Sequence, residues 1–94
     1  MLEEEVIAVL DFRVETFLAV CQTENFTRAA QLLHITQPAV SQHIHALEEQ
    51  YGTKLFRYEG KQLFLTPGGR LLQQTAATMR HDARHLEEEI RQLS

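Results

Sequence analysis

The side chains best placed to do chemistry in this chain are amides, hydroxyls and imidazoles, not a nucleophile with its base. Projected at about 100° per residue, Pro38, Ser41, Gln42, His45 and Glu49 fall on one side of a helix expected over residues 37–51. Val40, Ile44, Leu47 and Tyr51 fall on the other side and read as core. The first set is short, polar and mostly uncharged, and its non-proline members can donate or accept hydrogen bonds. A merely solvated face would usually carry more Lys and Glu. Gln37 stands at the helix start, where its amide can reach a base edge; a bidentate glutamine–adenine pair is worth about 1–3 kcal/mol of discrimination. The free N–H groups of that first turn also suit a phosphate. The competing reading is a plain three-helix bundle with an exposed polar face.

The elements that must position these groups are legible from caps and periodicity. Asp11 can cap a first helix in which Val14, Phe17, Leu18 and Cys21 recur at i, i+3, i+4 and i+7, ending near Glu24-Asn25. A short second helix is expected from about Thr27, whose hydroxyl can cap it or the turn before it, with Ala29, Ala30 and Leu33 inward. After a tight connection at His34-Ile35, Thr36 is a good N-cap and Pro38 lies in the first turn of the third helix, which stops at Gly52. Lys54 to Arg57 and Gln62 to Leu65 then read as a small β-hairpin, a wing, turning at Gly60. Lys61 at its tip has no packing purpose but is well placed to meet a nucleic-acid backbone or minor groove. Arg57 reads equally as a phosphate contact or as a solvated side chain. Thr66-Pro67 opens a fourth helix, whose first turn Gly68 and Gly69 are expected to weaken by roughly 1 kcal/mol each relative to alanine.

Composition bounds the remaining possibilities. With 94 residues, 44% of them hydrophobic, the chain supports one small core. The single Cys21 excludes an intramolecular disulfide and reads as a structural thiol in an apolar pattern. His81 and His85 have a metal-compatible i, i+4 spacing but no obvious third ligand, and His43 and His45 point away from each other on a helix. No Gly-rich phosphate loop and no nucleophile–base–acid arrangement is present, so neither catalysis nor a cofactor or metal is expected. The start lacks a basic n-region and no stretch approaches a membrane span, so a cytoplasmic location without membrane association is expected. The net charge of −4 argues at first against a polyanionic partner. Yet six of the thirteen acids are Glu3 to Glu5 and Glu87 to Glu89 at the two ends. Between Asn25 and Arg70, Arg28, Lys54, Arg57, Lys61 and Arg70 face only Glu48, Glu49 and Glu59, a balance of +2.

The run from Asn25 to Glu48, NFTRAAQLLHITQPAVSQHIHALE, continued by Leu55-Phe56 and by Leu65-Thr66-Pro67-Gly68-Gly69, strongly resembles LysR-type bacterial transcriptional regulators. Its most specific piece is Phe-Thr-Arg-Ala-Ala followed by Thr-Gln-Pro-Ala-Val-Ser. The resemblance implies that Gln37, Pro38, Ser41 and Gln42 face the major groove of double-stranded DNA, that Thr27 touches phosphate, and that Lys61 enters the minor groove from the wing. With Arg28, Thr36, His45 and Arg57 added from position and charge, these form the candidate DNA-contact set. The family usually has a basic residue at the position of Gln42, and an acid then an arginine where Arg57 and Tyr58 stand. Base preference and wing contacts are therefore expected to differ here.

Leu72, Ala76, Met79, Ala83, Leu86, Ile90 and Leu93 alternate steps of four and three, a heptad seam that calls for a partner helix. At roughly 1.5 Å per residue, the segment from Pro67 to Leu93 would be about 40 Å long, more than so small a core can cover. A homodimer through this helix is expected; the alternative is packing on its own domain. The resemblance implies the same pairing, two units set on one interrupted palindrome, and a large effector-binding domain that these residues do not include. The expected fold is thus mainly α: an N-terminal extension over 1–10, a winged helix-turn-helix over 11–66 with three helices and a hairpin wing, and a long dimerisation helix over 67–94. The functional alternative is a winged-helix protein-interaction module that has lost DNA binding.

Overall fold

Asp11 starts the first helix by accepting hydrogen bonds on its carboxylate from the backbone N–H groups of Arg13 (2.9 Å) and Val14 (3.4 Å). In the computed structural model, which describes residues 11–94, this helix is α1 (Phe12–Thr23). It is followed by α2 (Phe26–Leu33), α3 (Gln37–Tyr51), β1 (Phe56–Glu59), β2 (Gln62–Leu65) and α4 (Pro67–Leu93). The N-terminal extension expected over 1–10 lies outside the described residues. Val14, Thr16, Phe17, Leu18, Ala19 and Val20 are all buried, which is more than one face of α1. The reason is its central place: α2, α3 and α4 all pack against it.

Local chemistry sets each junction. Glu24 ends α1 in the left-handed region at φ 54°. Asn25, not Thr27, caps α2: its side-chain oxygen accepts from Arg28 N–H at 2.9 Å, leaving Thr27 exposed in the first turn. The turn from α2 to α3 is a Schellman motif. Ile35 N–H reaches Ala30 O (3.0 Å), His34 N–H reaches Gln31 O (3.3 Å), and His34 takes the left-handed position at φ 58°. Ile35 then packs against the core and fixes the angle between the two helices. Thr36 caps α3 by accepting from Ala39 N–H at 3.3 Å, and Gly52 ends it at φ 68°.

Val40, Ile44 and Leu47 of α3 are buried as expected, but Tyr51 is 40% exposed. It sits in the last turn, at the rim of a pocket lined also by Leu55, Leu71 and Leu72. The two strands pair antiparallel, with Glu59 opposite Gln62 and a two-residue loop at Gly60-Lys61. Gly60 supplies the positive φ (61°) that such tight hairpins require. The wing is anchored at its base by Phe56, whose ring lies 5.3 Å from Phe17 and 5.9 Å from Phe26.

The start of α4 is bound to the wing rather than merely following it. The Thr66 hydroxyl donates to Lys54 O (2.6 Å) and accepts from Gly69 N–H (3.0 Å), while Thr66 N–H donates to Leu55 O (3.0 Å). A Cβ on Gly69 would sit 2.1 Å from Leu55 O, so the helix can approach the backbone just before β1 only with glycine there. The expected weakening of the first turn by Gly69 is thus offset by tertiary contact. Leu72 and Ala76 complete the same core.

Candidate nucleic-acid interface

The first turn of α3 carries the densest set of candidate contacts. Pro38, Gln42 and His45 are exposed and Ser41 is half-buried, on the face opposite Val40, Ile44 and Leu47, while Gln37, also exposed, stands at the helix start on the side of Ile44, seven residues before it. Gln37 Nε2 donates to Ser41 Oγ at 3.1 Å, so the two groups are ordered together one helical turn apart. Thr36, beside them, is exposed but has its hydroxyl engaged in the cap. His45 Nε2 lies 2.9 Å from Glu49 Oε1, an exposed i, i+4 pair that is ionic when the imidazole is protonated. His43 turns inward instead: its Nδ1 meets the buried Thr16 Oγ1 at 2.8 Å, and its ring packs edge-on to Phe12 at 4.9 Å. That bond ties α3 to α1 and holds the polar face in place. The sequence carried no signal for it beyond the two residue types.

Thr27 and Arg28 lie exposed in the first turn of α2, a separate element from α3. On the wing, Lys61 is exposed at the loop tip. Arg57 is more constrained: its guanidinium is paired with Glu59 and stacked 5.3 Å over the Phe64 ring, its cross-strand neighbour. The structure therefore gives Arg57 a role inside the hairpin, which neither of its two expected readings contained. Between α3 and the wing runs a groove of about 480 Å³ bordered by Ser41, His45, Lys54 and Tyr58.

Electrostatics favours an anion on this side despite the net charge of −4. Of the three acids between Asn25 and Arg70, Glu48 and Glu59 face cations, Lys54 (3.7 Å) and Arg57, and Glu49 contacts the His45 imidazole. Arg28, Lys61 and Arg70 have no ion pair among the described residues. Two of the four acids on α4 have local partners, Glu87 with Arg91 (3.5 Å) and Glu89 with the His85 imidazole (2.8 Å). Burial pushes the Cys21 thiol up to about 12, which leaves it protonated and a poor nucleophile at neutral pH. Among the described residues no three His, Cys, Asp or Glu side chains converge, and no helix is long and apolar enough to cross a membrane.

The seven seam residues of α4 do not share one environment. Leu72 and Ala76 are buried in the protomer's own core, so they are not free to meet a partner, contrary to the continuous seam expected from the heptads. Met79 and Ala83 are half-buried, and Leu86, Ile90 and Leu93 are 57%, 56% and 88% exposed. The division falls where the domain ends: Arg80 reaches back to Glu15 of α1 at 2.7 Å, and from Arg84 onward every residue of α4 is exposed.

Comparison with known proteins agrees with this geometry. Residues 13–70 match the family model described as the bacterial regulatory helix-turn-helix protein, lysR family. The RuBisCO operon transcriptional regulator of Allochromatium vinosum is 37% identical over 81 residues, 86% of this chain and 27% of its own. The match spans 20–27% of the length of most of these curated relatives and 41% of one from Azotobacter vinelandii. Among solved structures, a LysR-family transcriptional regulator from Eggerthella lenta is 61% identical with a TM-score of 0.69, over 71% of this chain and 96% of that one. The BenM DNA-binding domain in complex with the benA site 1 DNA has a TM-score of 0.81 at 28% identity, over 86% and 91% of the two chains. With its helix-turn-helix, its hairpin wing and this family match over most of its length, the chain belongs to the LysR family of bacterial transcriptional regulators.

Proposed function

We propose that this chain reads double-stranded DNA in a sequence-specific way as a homodimer, within a bacterial transcriptional regulator in the cytoplasm. In this reading α3 lies in the major groove, with Gln37, Pro38, Ser41 and Gln42 toward base edges. Thr27 and Arg28 meet phosphates from the first turn of α2. Lys61 enters the adjacent minor groove from the wing. Thr36 and His45 flank the readers, the first by capping α3 and the second beside the backbone. The single observation that carries the reading is the exposed, largely uncharged polar row at the N-terminal end of α3, a composition suited to base edges rather than to solvation. The likeness to a DNA-bound domain supports it. The role is one of binding without catalysis, in keeping with relatives that are transcriptional regulators.

Dimerisation belongs to the same proposal. Residues 11–66 and the opening turns of α4 form the reading unit, and the outer half of α4 pairs with a second copy through Leu86, Ile90 and Leu93, assisted by Met79 and Ala83. Three large apolar side chains on a helix that leaves the domain favour burial against another helix. Two-fold pairing places two α3 helices on the half-sites of an interrupted palindrome.

The test is selection of bound sequences from a random duplex pool by this chain at two salt concentrations. Enrichment of an interrupted palindrome that weakens as salt rises is expected. Absence of enrichment by folded protein at low salt would refute the reading and favour the protein-interaction module.

A further inference from the structure

We infer that the groove between α3 and the wing is a seat for one DNA backbone phosphodiester, with the Tyr58 hydroxyl and the Lys54 ammonium as its donors. This rests on the proposal that α3 and Lys61 enter neighbouring grooves of one duplex. A strand that separates those two grooves must then cross the space between α3 and the wing, which is where this groove of about 480 Å³ lies.

The sheet decides which wing residue faces it. Tyr58 is directly opposite Leu63 in the ladder and two residues from Phe56, so these three share one sheet face. Leu63 is buried and Phe56 packs on Phe17 and Phe26, so that face is the one turned toward the helices. Tyr58 lies past the rim of this core and is 64% exposed. Arg57 also borders the groove, but its guanidinium is held over Phe64 and against Glu59, on the opposite face. The cation of the pair Arg57-Tyr58 is thus already occupied, and the phenol is the group left to donate.

Lys54 supplies the charge. Its side chain is 75% exposed and its contact with Glu48 Oε1 is long, 3.7 Å, so the ammonium can turn to a phosphate at small cost. Glu48 is the one acid bordering the groove. Its other oxygen accepts from Leu55 N–H at 2.9 Å, which fixes the carboxylate toward the protein backbone. His45 borders the opposite wall of the groove. A phenol and an ammonium facing a tetrahedral anion form a pair of charge-assisted hydrogen bonds, and neither reads sequence.

The test uses the full chain and the duplex recovered by selection. Ethylation interference is mapped for the wild type and for Tyr58→Phe, and affinities are measured across a salt series for Lys54→Gln and Arg57→Gln. We expect Tyr58→Phe to weaken binding by about tenfold on all sequences alike. It should also diminish interference at a single phosphate in each half-site, between the base-contact positions and the wing. Lys54→Gln should lower the slope of log affinity against log salt by about one per protomer, about two for the dimer, and Arg57→Gln should change affinity less than either. Unchanged affinity and an unchanged interference map in Tyr58→Phe would overturn the seat while leaving the DNA-reading proposal intact. An Arg57→Gln effect larger than the other two would overturn it as well. Failure of the wild type to bind any duplex would overturn both.

Discussion

Helix propensity and tertiary packing make opposite predictions at Gly69, and the structure says which should win. Alanine is the better helix former by about 1 kcal/mol, so by propensity alone Gly69→Ala should stabilise the first turn of α4. The added Cβ, however, would lie 2.1 Å from Leu55 O and 2.8 Å from Leu65 Cδ2, both closer than atoms can approach. Relief requires α4 to move off the wing base. That overpacking costs about 1–3 kcal/mol, and the movement also weakens the Thr66 N–H bond to Leu55 O, worth about 1 kcal/mol. Against the propensity gain, the net loss is about 1–3 kcal/mol, on the order of 10 °C in melting temperature for a domain of this size. Gly68→Ala is the internal control: its Cβ would crowd the Thr53 Cγ2 methyl at 3.1 Å, a side chain that can yield, and otherwise make ordinary contacts with Thr66 Oγ1 (3.8 Å) and Lys54 O (3.9 Å). Thermal unfolding followed by circular dichroism should therefore show Gly68→Ala near or above the wild type and Gly69→Ala well below it. A Gly69→Ala variant as stable as the wild type would refute the claim that α4 is locked onto the wing by close backbone approach.

Two further outcomes follow from the outer half of α4 and from the thiol. Leu86→Asp, at a side chain 57% exposed in the protomer, should leave the melting of the reading unit unchanged while sedimentation shifts from dimer to monomer; unchanged mass would show that the helix does not pair. Cys21 should resist alkylation in the folded chain at pH 8 and react on unfolding, as read by mass spectrometry, because burial pushes its thiol from 9.0 up to about 12. Since the folded state then keeps a proton that the unfolded state has lost, stability should fall as pH rises from about 9 toward about 12.

Most of the fold was readable because its junctions are local. Asp11, Thr36, Pro38, Gly52 and Thr66 act through hydrogen bonds or dihedrals within a few residues, and local chemistry of that kind is written in sequence. Asn25 replaced Thr27 as the cap of α2 by a shift of two positions, since both side chains carry an acceptor of the right reach. What could not be read depends on elements distant in the chain. Gly69 looked like a defect until Leu55 was placed against it. The heptads of α4 run unbroken, but periodicity does not say which partner covers each turn, and α1 takes Leu72 and Ala76 before a second copy can. Tyr51 has the right angular position for the core and borders Leu55 and Leu72 in one pocket, yet stays 40% exposed at the rim. At the candidate site, the row on α3 was legible from residue type and spacing, whereas the tie between His43 and Thr16, 27 residues apart, was not.

The central claim is that the polar row of α3 reads bases, and Gln37 is its leading member. Parallel selections from one random duplex pool, with the wild type and with Gln37→Ala at the same salt concentration, test this most directly. The account predicts the same interrupted palindrome in both, with preference relaxed at one symmetric pair of positions in Gln37→Ala by the equivalent of about 1–3 kcal/mol. Identical preferences at every position would contradict the assignment of base reading to this face.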